Sequence, residues 1–192
     1  GSFMEGVVPD DSEGRTYSEV FYEVGANRGT TGISPFFLAA KVMLEQGKSG
    51  SQLVSGTYPG YEKLYNFFNI GASGTGTTAV VNGLTYARKQ GWTTRYKSIA
   101  GGAESYGKSY ILKGQDTLYL QKFDLIKSRG YLFQYQQNIM APSTDGKSVK
   151  SMYSSSGALN SAFVFKIPVF NNMPNDYKFT MNTQQVELVR GK

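Results

Sequence analysis

The sequence predicts one mainly α domain (α+β, with a minor β element), and three observations carry that prediction. Apolar residues return at helical spacing through Tyr17-Ser-Glu-Val-Phe-Tyr-Glu-Val-Gly25. The run from Pro35 to Glu45 is apolar at almost every position and is bracketed by Ser34 and Gly47, residue types that start and stop helices. One stretch, Ala162-Phe-Val-Phe-Lys-Ile-Pro-Val-Phe170, reads as a strand, interrupted by Pro168.

In order, residues 1 to 15 are polar, acidic and Gly/Pro-containing and read as a loose leader, leaving 16–192 as the domain. Gly1-Ser2 reads as a cloning remnant, so the chain is expected to be cut from a longer protein, and an export signal could have been removed with the rest. The first helix begins at Thr16, and the second, from Ser34 to Gly47, should be buried nearly all round. Residues 47–60, rich in Gly, Ser and Thr, are expected as an irregular excursion or small β lobe. An aromatic segment, Tyr61 to Ile70, follows. Further helices are expected over Ala79–Gln90, Ser98–Lys113, Tyr131–Met140 (stopped by Pro142) and Lys147–Tyr153.

Composition narrows the chemistry. The chain of 192 residues, 40% hydrophobic and 18% charged, is long enough for one core and unlike a disordered segment or coiled coil. It has no Cys and no His, which excludes thiolate nucleophiles, disulfides, Cys/His metal sites and Ser-His-Asp catalysis. No metal or other cofactor is expected. Proton transfer in an enzyme would fall to its 14 Asp and Glu, with Lys and Tyr in reserve. The net charge of +6 is compatible with a polyanionic setting such as anionic wall polymers. Its charges are scattered, which argues against nucleic acid, and no apolar run is long enough for membrane insertion.

Two motif matches fail on context. Gly102-Ala-Glu-Ser-Tyr-Gly107-Lys108-Ser109 fits the phosphate-loop pattern letter for letter, but no buried strand precedes it. Ile99, Ala103, Tyr106 and Tyr110 instead mark one face of a helix running through it. Gly74-Thr-Gly76-Thr-Thr-Ala79 lacks the βαβ setting and the later acid of a dinucleotide site, and reads as a loop capped by Thr77 or Thr78.

Most carboxylates sit in solvated or turn-like contexts, among them Glu104, Asp116, Asp124 and Asp145. Glu45 differs because it ends the most apolar helix. Desolvation and the negative helix end both favour its protonated form, as a general acid requires. A Glu that simply reaches water at a frayed end is the equal alternative on composition alone. Glu62 lies just before Tyr65, Asn66, Phe68 and Asn69, rings and amides of the kind that line sugar clefts, although some must be core.

Five blocks in order resemble glycoside hydrolase family 73, the peptidoglycan glucosaminidases, in the variant of clostridial and related Gram-positive autolysins. They are Ile33-Ser-Pro-Phe-Phe-Leu-Ala-Ala with Glu45-Gln46-Gly47; Gly60-Tyr-Glu62 with Tyr65-Asn-Phe-Phe-Asn-Ile-Gly71; Gly101 to Phe123; Tyr135 with Asn138-Ile and Ala141-Pro142; and Ile167-Pro-Val-Phe-Asn-Asn-Met-Pro174. The resemblance implies a lysozyme-like helical lobe, a small β lobe and a cleft between them. It implies a secreted, wall-acting endo-β-N-acetylglucosaminidase that cuts the β-1,4 bond between N-acetylglucosamine and N-acetylmuramic acid in peptidoglycan glycan strands.

By position, Glu45 matches the family's general acid. Glu62 is the best-placed second carboxylate, while Tyr65, Asn66, Phe68, Asn69, Tyr110, Gln121, Tyr135 and Asn138 are the implied substrate contacts. Without another acid near Glu45, the substrate's 2-acetamido oxygen is favoured as nucleophile, with Glu45 as acid and then base. An inverting route through Glu62 would instead need carboxyl groups roughly 6.5–9.5 Å apart. The alternatives are a lytic transglycosylase or muramidase, and a wall-binding module without turnover.

Overall fold

Thr16 starts the first helix, α1 (Tyr17–Ala26), through a reciprocal cap. Its Oγ1 accepts from the Glu19 amide, and Glu19 Oε2 accepts from the Thr16 amide at 2.7 Å. α2 (Pro35–Gln46) begins with Pro35 in its first turn and ends at Gly47, whose φ of +70° suits glycine and whose N–H donates to the Met43 carbonyl. Ser34 takes the N-cap position, but its side chain makes no capping bond. The computed structural model describes residues 2–27, 32–136, 138–160, 162, 164–170, 172 and 185–190.

After α2 come α3 (Gln52–Ser55), α4 (Gly76–Gln90), α5 (Arg95–Ser109), α6 (Leu118–Lys122) and α7 (Ala141–Ser155), with single 3-10 turns between some of them. β1 (Val164–Val169) and β2 (Gln185–Arg190) form a parallel pair in which Pro168 stands opposite Val189. Pro168 therefore lies within the strand. A two-stranded sheet has only edges, so a residue without an N–H can be accommodated there.

α1 packs on α2 and α5, α2 also on α7, α6 on α7, and α3 on α4. The larger core joins Val20, Phe21 and Val24 of α1 to Leu38 and Val42 of α2, Ile99, Ala103 and Tyr106 of α5, and Phe67 and Phe68 of the loop before α4. A smaller core, Leu53, Leu64, Leu84, Ala87 and Trp92, lies under α3 and α4. α5 can lie against these loops because Gly101 and Gly102 present bare backbone to Trp92 and Phe68, where a Cβ would collide with the rings.

Several expectations need correction. Residues 2–15 are packed rather than loose: Val8 is 1% exposed in the main core, Val7 bridges Thr16, and the rings of Phe3 and Phe67 are 6.0 Å apart. α2 is not buried all round, since Phe36 is half exposed. Residues 47–60 take the irregular of the two expected forms, turns around the short α3, because Ser51 caps a helical turn there by accepting from the Leu53 amide. The N-cap of α4 is Thr75, one turn ahead of the expected start. α5 stops at Ser109, and the short α6 had no clear periodic signal.

The largest departure is at 131–136 and 138–140, which are extended and turn-like instead of helical. Pro142 opens the next helix instead of ending one, and α7 runs well beyond the expected 147–153. The extended segment is held by remote polar groups. The Phe133 amide donates to Asp124, and the Phe133 carbonyl accepts from Gln115 Nε2 at 2.7 Å. The Tyr135 amide donates to the Gln121 carbonyl at 2.8 Å, and Lys122 Nζ donates to the Gln136 carbonyl at 2.7 Å. These bonds satisfy backbone groups that a helix would have paired internally.

The phosphate-loop match lies inside α5, with Ile99 and Ala103 fully buried on its inner face, which leaves no loop to ring a phosphate. Residue 171 and residues 173–174 of the fifth block lie outside the described residues. Among the described residues, no helix is long and apolar enough to cross a membrane.

Candidate active site

A cleft of about 660 Å³ opens where α2, the loop after Phe68, α5, the extended segment and α7 converge. α2 contributes Lys41, Leu44 and Glu45; the loop contributes Phe68, Asn69, Ile70 and Ala72. Ser105, Tyr106, Ser109 and Tyr110 come from α5 and its end, Tyr135 and Gln136 from the extended segment, and Asp145 from α7. The mixture of rings, amides and hydroxyls suits a sugar chain, which offers apolar ring faces and a dense rim of polar groups.

Glu45 is the most elaborately held carboxylate in this cleft. Its side chain is 19% exposed, and Oε1 accepts from the Tyr135 hydroxyl at 2.8 Å while lying 2.9 Å from Lys41 Nζ. Oε2 accepts from Asn69 Nδ2 at 3.0 Å, and the same amide group donates to the Glu45 carbonyl at 2.9 Å. Oε1 thus faces two donors and Oε2 only one. Were this carboxyl to carry a proton, Oε2 would be its place, because a carboxylic OH can still accept one N–H while it donates elsewhere. Lys41 and Glu45 meet because residues four apart share a helix face.

Asn69 is itself positioned with care. It adopts φ +52°, a left-handed conformation that Asn tolerates better than most residues. Its Oδ1 accepts from Gln46 Nε2 at 2.7 Å, and Gln46 also donates to the carbonyls of Asn66 and Phe67, each at 3.0 Å. Gln46 therefore ties the end of α2 to the loop that carries Asn69.

The tyrosines form the opposite wall. The ring of Tyr135 meets those of Tyr106 and Tyr110 edge-on, with centroids 5.3 and 5.1 Å away. Tyr106 is 3% exposed and donates to Gln121 Oε1. Burial, and then the nearby Glu45 charge, raise the phenols of Tyr106 and Tyr135 well above their ordinary range. Both stay protonated near neutral pH and can donate.

Of the residues singled out from sequence, Glu45, Phe68, Asn69, Tyr110 and Tyr135 come together at the cleft. Tyr65 and Asn66 do not line it. Tyr65 is a core residue whose hydroxyl takes a bond from Arg95 at 3.1 Å, and Asn66 is fully buried, pinning the Ile70 and Gly83 carbonyls. Gln121 stands behind the cleft, supporting Tyr106 and Tyr135. Asn138 is exposed and caps the Met140 amide at 2.9 Å. Glu62 is exposed outside the cleft lining and accepts from the Gly60 amide at 3.0 Å. Hydrogen bonds from its own amide and from that of Gly60 hold its carboxyl below the ordinary range.

Lys41, Asp145 and Gln136 were missed as site residues. Lys41 could have been flagged by its place one turn before Glu45 in an otherwise apolar helix. Asp145 sits in a Gly/Ser/Thr context that reads as a turn. It lies instead in the second turn of α7 and accepts from Gln136 Nε2 at 2.7 Å.

Comparison with known proteins agrees with the residue-based resemblance. No family model matches the chain. It is 29% identical over 169 residues, 83% of its length, to a bifunctional autolysin of Staphylococcus epidermidis. It is 30% identical over 140 residues, 69% of its length, to a bifunctional autolysin of Staphylococcus aureus. The chain spans only 12% and 11% of those relatives.

Among solved structures it is similar to a catalytic glutamate-to-alanine mutant of S. aureus autolysin E in complex with the disaccharide NAG-NAM. That similarity has a TM-score of 0.56 and 27% identity, and covers 72% of this chain and 60% of the other. It is also similar to S. aureus glucosaminidase B, with a TM-score of 0.55, 25% identity, and coverage of 71% of this chain and 52% of the other. The chain is thus related to autolysins and shares the mainly helical glucosaminidase fold.

Proposed function

We propose that this relative of the staphylococcal autolysins is a peptidoglycan N-acetylglucosaminidase with Glu45 as its acid and base. The observation that carries the reading is the set of bonds on Glu45: Tyr135 and Lys41 on Oε1, Asn69 on Oε2, within a cleft walled by rings and amides. The crystallised relative in complex with NAG-NAM supports a glycan strand as the occupant. Action outside the cell, in the wall, follows from that substrate, and the net charge of +6 favours a wall bearing anionic polymers.

In the first step the proton on Oε2 passes to the glycosidic oxygen as the C1–O bond breaks. The substrate's 2-acetamido oxygen takes C1 and forms a cyclic oxazolinium. In the second step the Glu45 carboxylate removes a proton from water as that water attacks C1, which reopens the ring with retained configuration. Asp145 favours one rival route, because among the described cleft residues it carries the other carboxylate and could activate water for inversion. Proton NMR of the first-formed anomer separates the two.

The deciding experiment measures reducing-end release from purified peptidoglycan by the wild type and Glu45→Gln, with fragments identified by mass spectrometry. Fragments ending in reducing N-acetylglucosamine, and a loss of about 10² or more in the folded variant, are expected. Anhydromuramic ends would replace the reading with a transglycosylase. Wall binding without release would replace it with a binding module.

A further inference from the structure

We propose that Lys41 is a positioning residue for Glu45, fixing Oε1 and supplying the positive charge that offsets the carboxylate formed when the proton leaves. This deepens the reading of Glu45 as acid and base and rests on it.

Lys41 is 1% exposed, among the most buried large side chains in the molecule. Its ammonium lies 2.9 Å from Glu45 Oε1 and 4.1 Å from the centroid of the Tyr135 ring, with the Tyr106 ring at 5.9 Å. Among the described residues Nζ makes no hydrogen bond of good geometry. A buried ammonium held by a single ion pair and ring faces is a costly arrangement, and an apolar side chain at the same helix position would avoid the cost. Its charge therefore needs an explanation in what it faces.

The groups facing Glu45 are few. Tyr135 approaches from the extended segment, Tyr106 and Tyr110 from α5 and its end, Asn69 from the loop and Asp145 from α7. Arg129 stands further back, 5.9 Å from the Tyr110 ring centroid. Near neutral pH the phenols and the amide carry no net charge, and Asp145 is an acid. Lys41 is thus the one cation among the described residues lining the cleft. When Oε2 gives up its proton, the new negative charge spreads to Oε1, where Lys41 and Tyr135 already stand. Preorganised charge of this kind acts where charge develops and needs no rearrangement.

Lys41→Met keeps the stem and removes the charge. It should lower kcat on peptidoglycan about tenfold or more with KM changed less than about twofold. It should also move the alkaline limb of kcat/KM upward by about one pH unit or more. Loss of packing alone would not move that limb.

The chain has no cysteine, so Lys41→Cys introduces a unique thiol. Alkylated in denaturant with bromoethylamine and refolded, it regains an ammonium at lysine's reach and should recover both kcat and the limb. The same thiol carrying a neutral S-propyl chain should not. An unmoved limb in Lys41→Met, or equal recovery with S-propyl, overturns the proposal.

A second readout is independent of turnover. Nitrogen-15 NMR of the lysine ammonium groups should show, besides any signal from the hydrogen-bonded Lys122, a slowly exchanging signal that is lost in Lys41→Met and shifted in Glu45→Gln. Exchange as fast as a surface lysine overturns the pairing. An inert wild type with that signal intact would sink the glucosaminidase reading and leave the Lys41–Glu45 pairing standing.

Discussion

Tyr135 donates its hydroxyl to Glu45 Oε1 at 2.8 Å, joining residues 90 positions apart in the chain. The bond fixes the carboxyl rotamer from the side opposite Asn69. Tyr135→Phe keeps the edge-on contacts with Tyr106 and Tyr110 and removes only this donor. A hydrogen bond to a charged group contributes about 1.5–3 kcal/mol. We expect turnover on peptidoglycan to fall roughly tenfold to a hundredfold, with a melting temperature lowered by roughly 3–10 °C. Wild-type turnover in Tyr135→Phe would show that Asn69 and Lys41 suffice to hold Glu45.

Glu62 offers the converse test. It is exposed, hydrogen-bonded to its own turn and absent from the cleft lining. Glu62→Gln should leave turnover within about twofold of the wild type, as surface substitutions away from special features usually do. A loss approaching that of Glu45→Gln would return Glu62 to the chemistry and imply that its loop closes over the substrate.

Alkaline pH should unfold the protein through the cleft tyrosines. Burial and the Glu45 charge raise the phenols of Tyr106 and Tyr135 well above their ordinary value of 10.0. With the folded value above the unfolded one, the folded state binds more protons once pH passes the unfolded value. Their contribution to stability is then complete below about pH 10 and is lost as pH rises further. Tyrosinate absorbance and far-ultraviolet circular dichroism should therefore show a late ionisation step that coincides with loss of helix. Late ionisation of these two phenols with the helices intact would contradict it.

Gly102 tests the packing of α5. A Cβ there meets the Phe68 ring, which lines the cleft. Gly102→Ala should destabilise by about 1–3 kcal/mol as an overpacking change, against the usual benefit of alanine in a helix. Chemical denaturation measures it. An increase in stability would mean that the ring can move aside without loss.

These cases show where sequence reading reached and where it stopped. α1 and α2 were legible because their signals are local: apolar residues at helical spacing from Tyr17 to Gly25, Pro35 in the first turn, Gly47 at the end. Glu45 stood out for the same reason, at the end of an apolar helix. The segment 131–140 misled because Tyr131, Leu132, Phe133, Tyr135, Ile139 and Met140 are helix-compatible in spacing. The conformation of residues 133–136 is set by Gln115, Gln121, Lys122 and Asp124, and no periodicity in the segment records them. Lys41 was passed over because a lysine in an apolar helix normally reaches water along its stem. Only the fold shows that the way out is closed by the rings of Tyr106 and Tyr135.

The clamp on residues 133–136 also ties the site to a late part of the chain. Lys41, Glu45 and Asn69 all lie well before Tyr135 in the chain. A half-made chain therefore owns its acid but lacks the partner that aims it. A chain cut short before residue 135 would carry the carboxyl without the hydroxyl that holds it, so the site exists only in the finished fold.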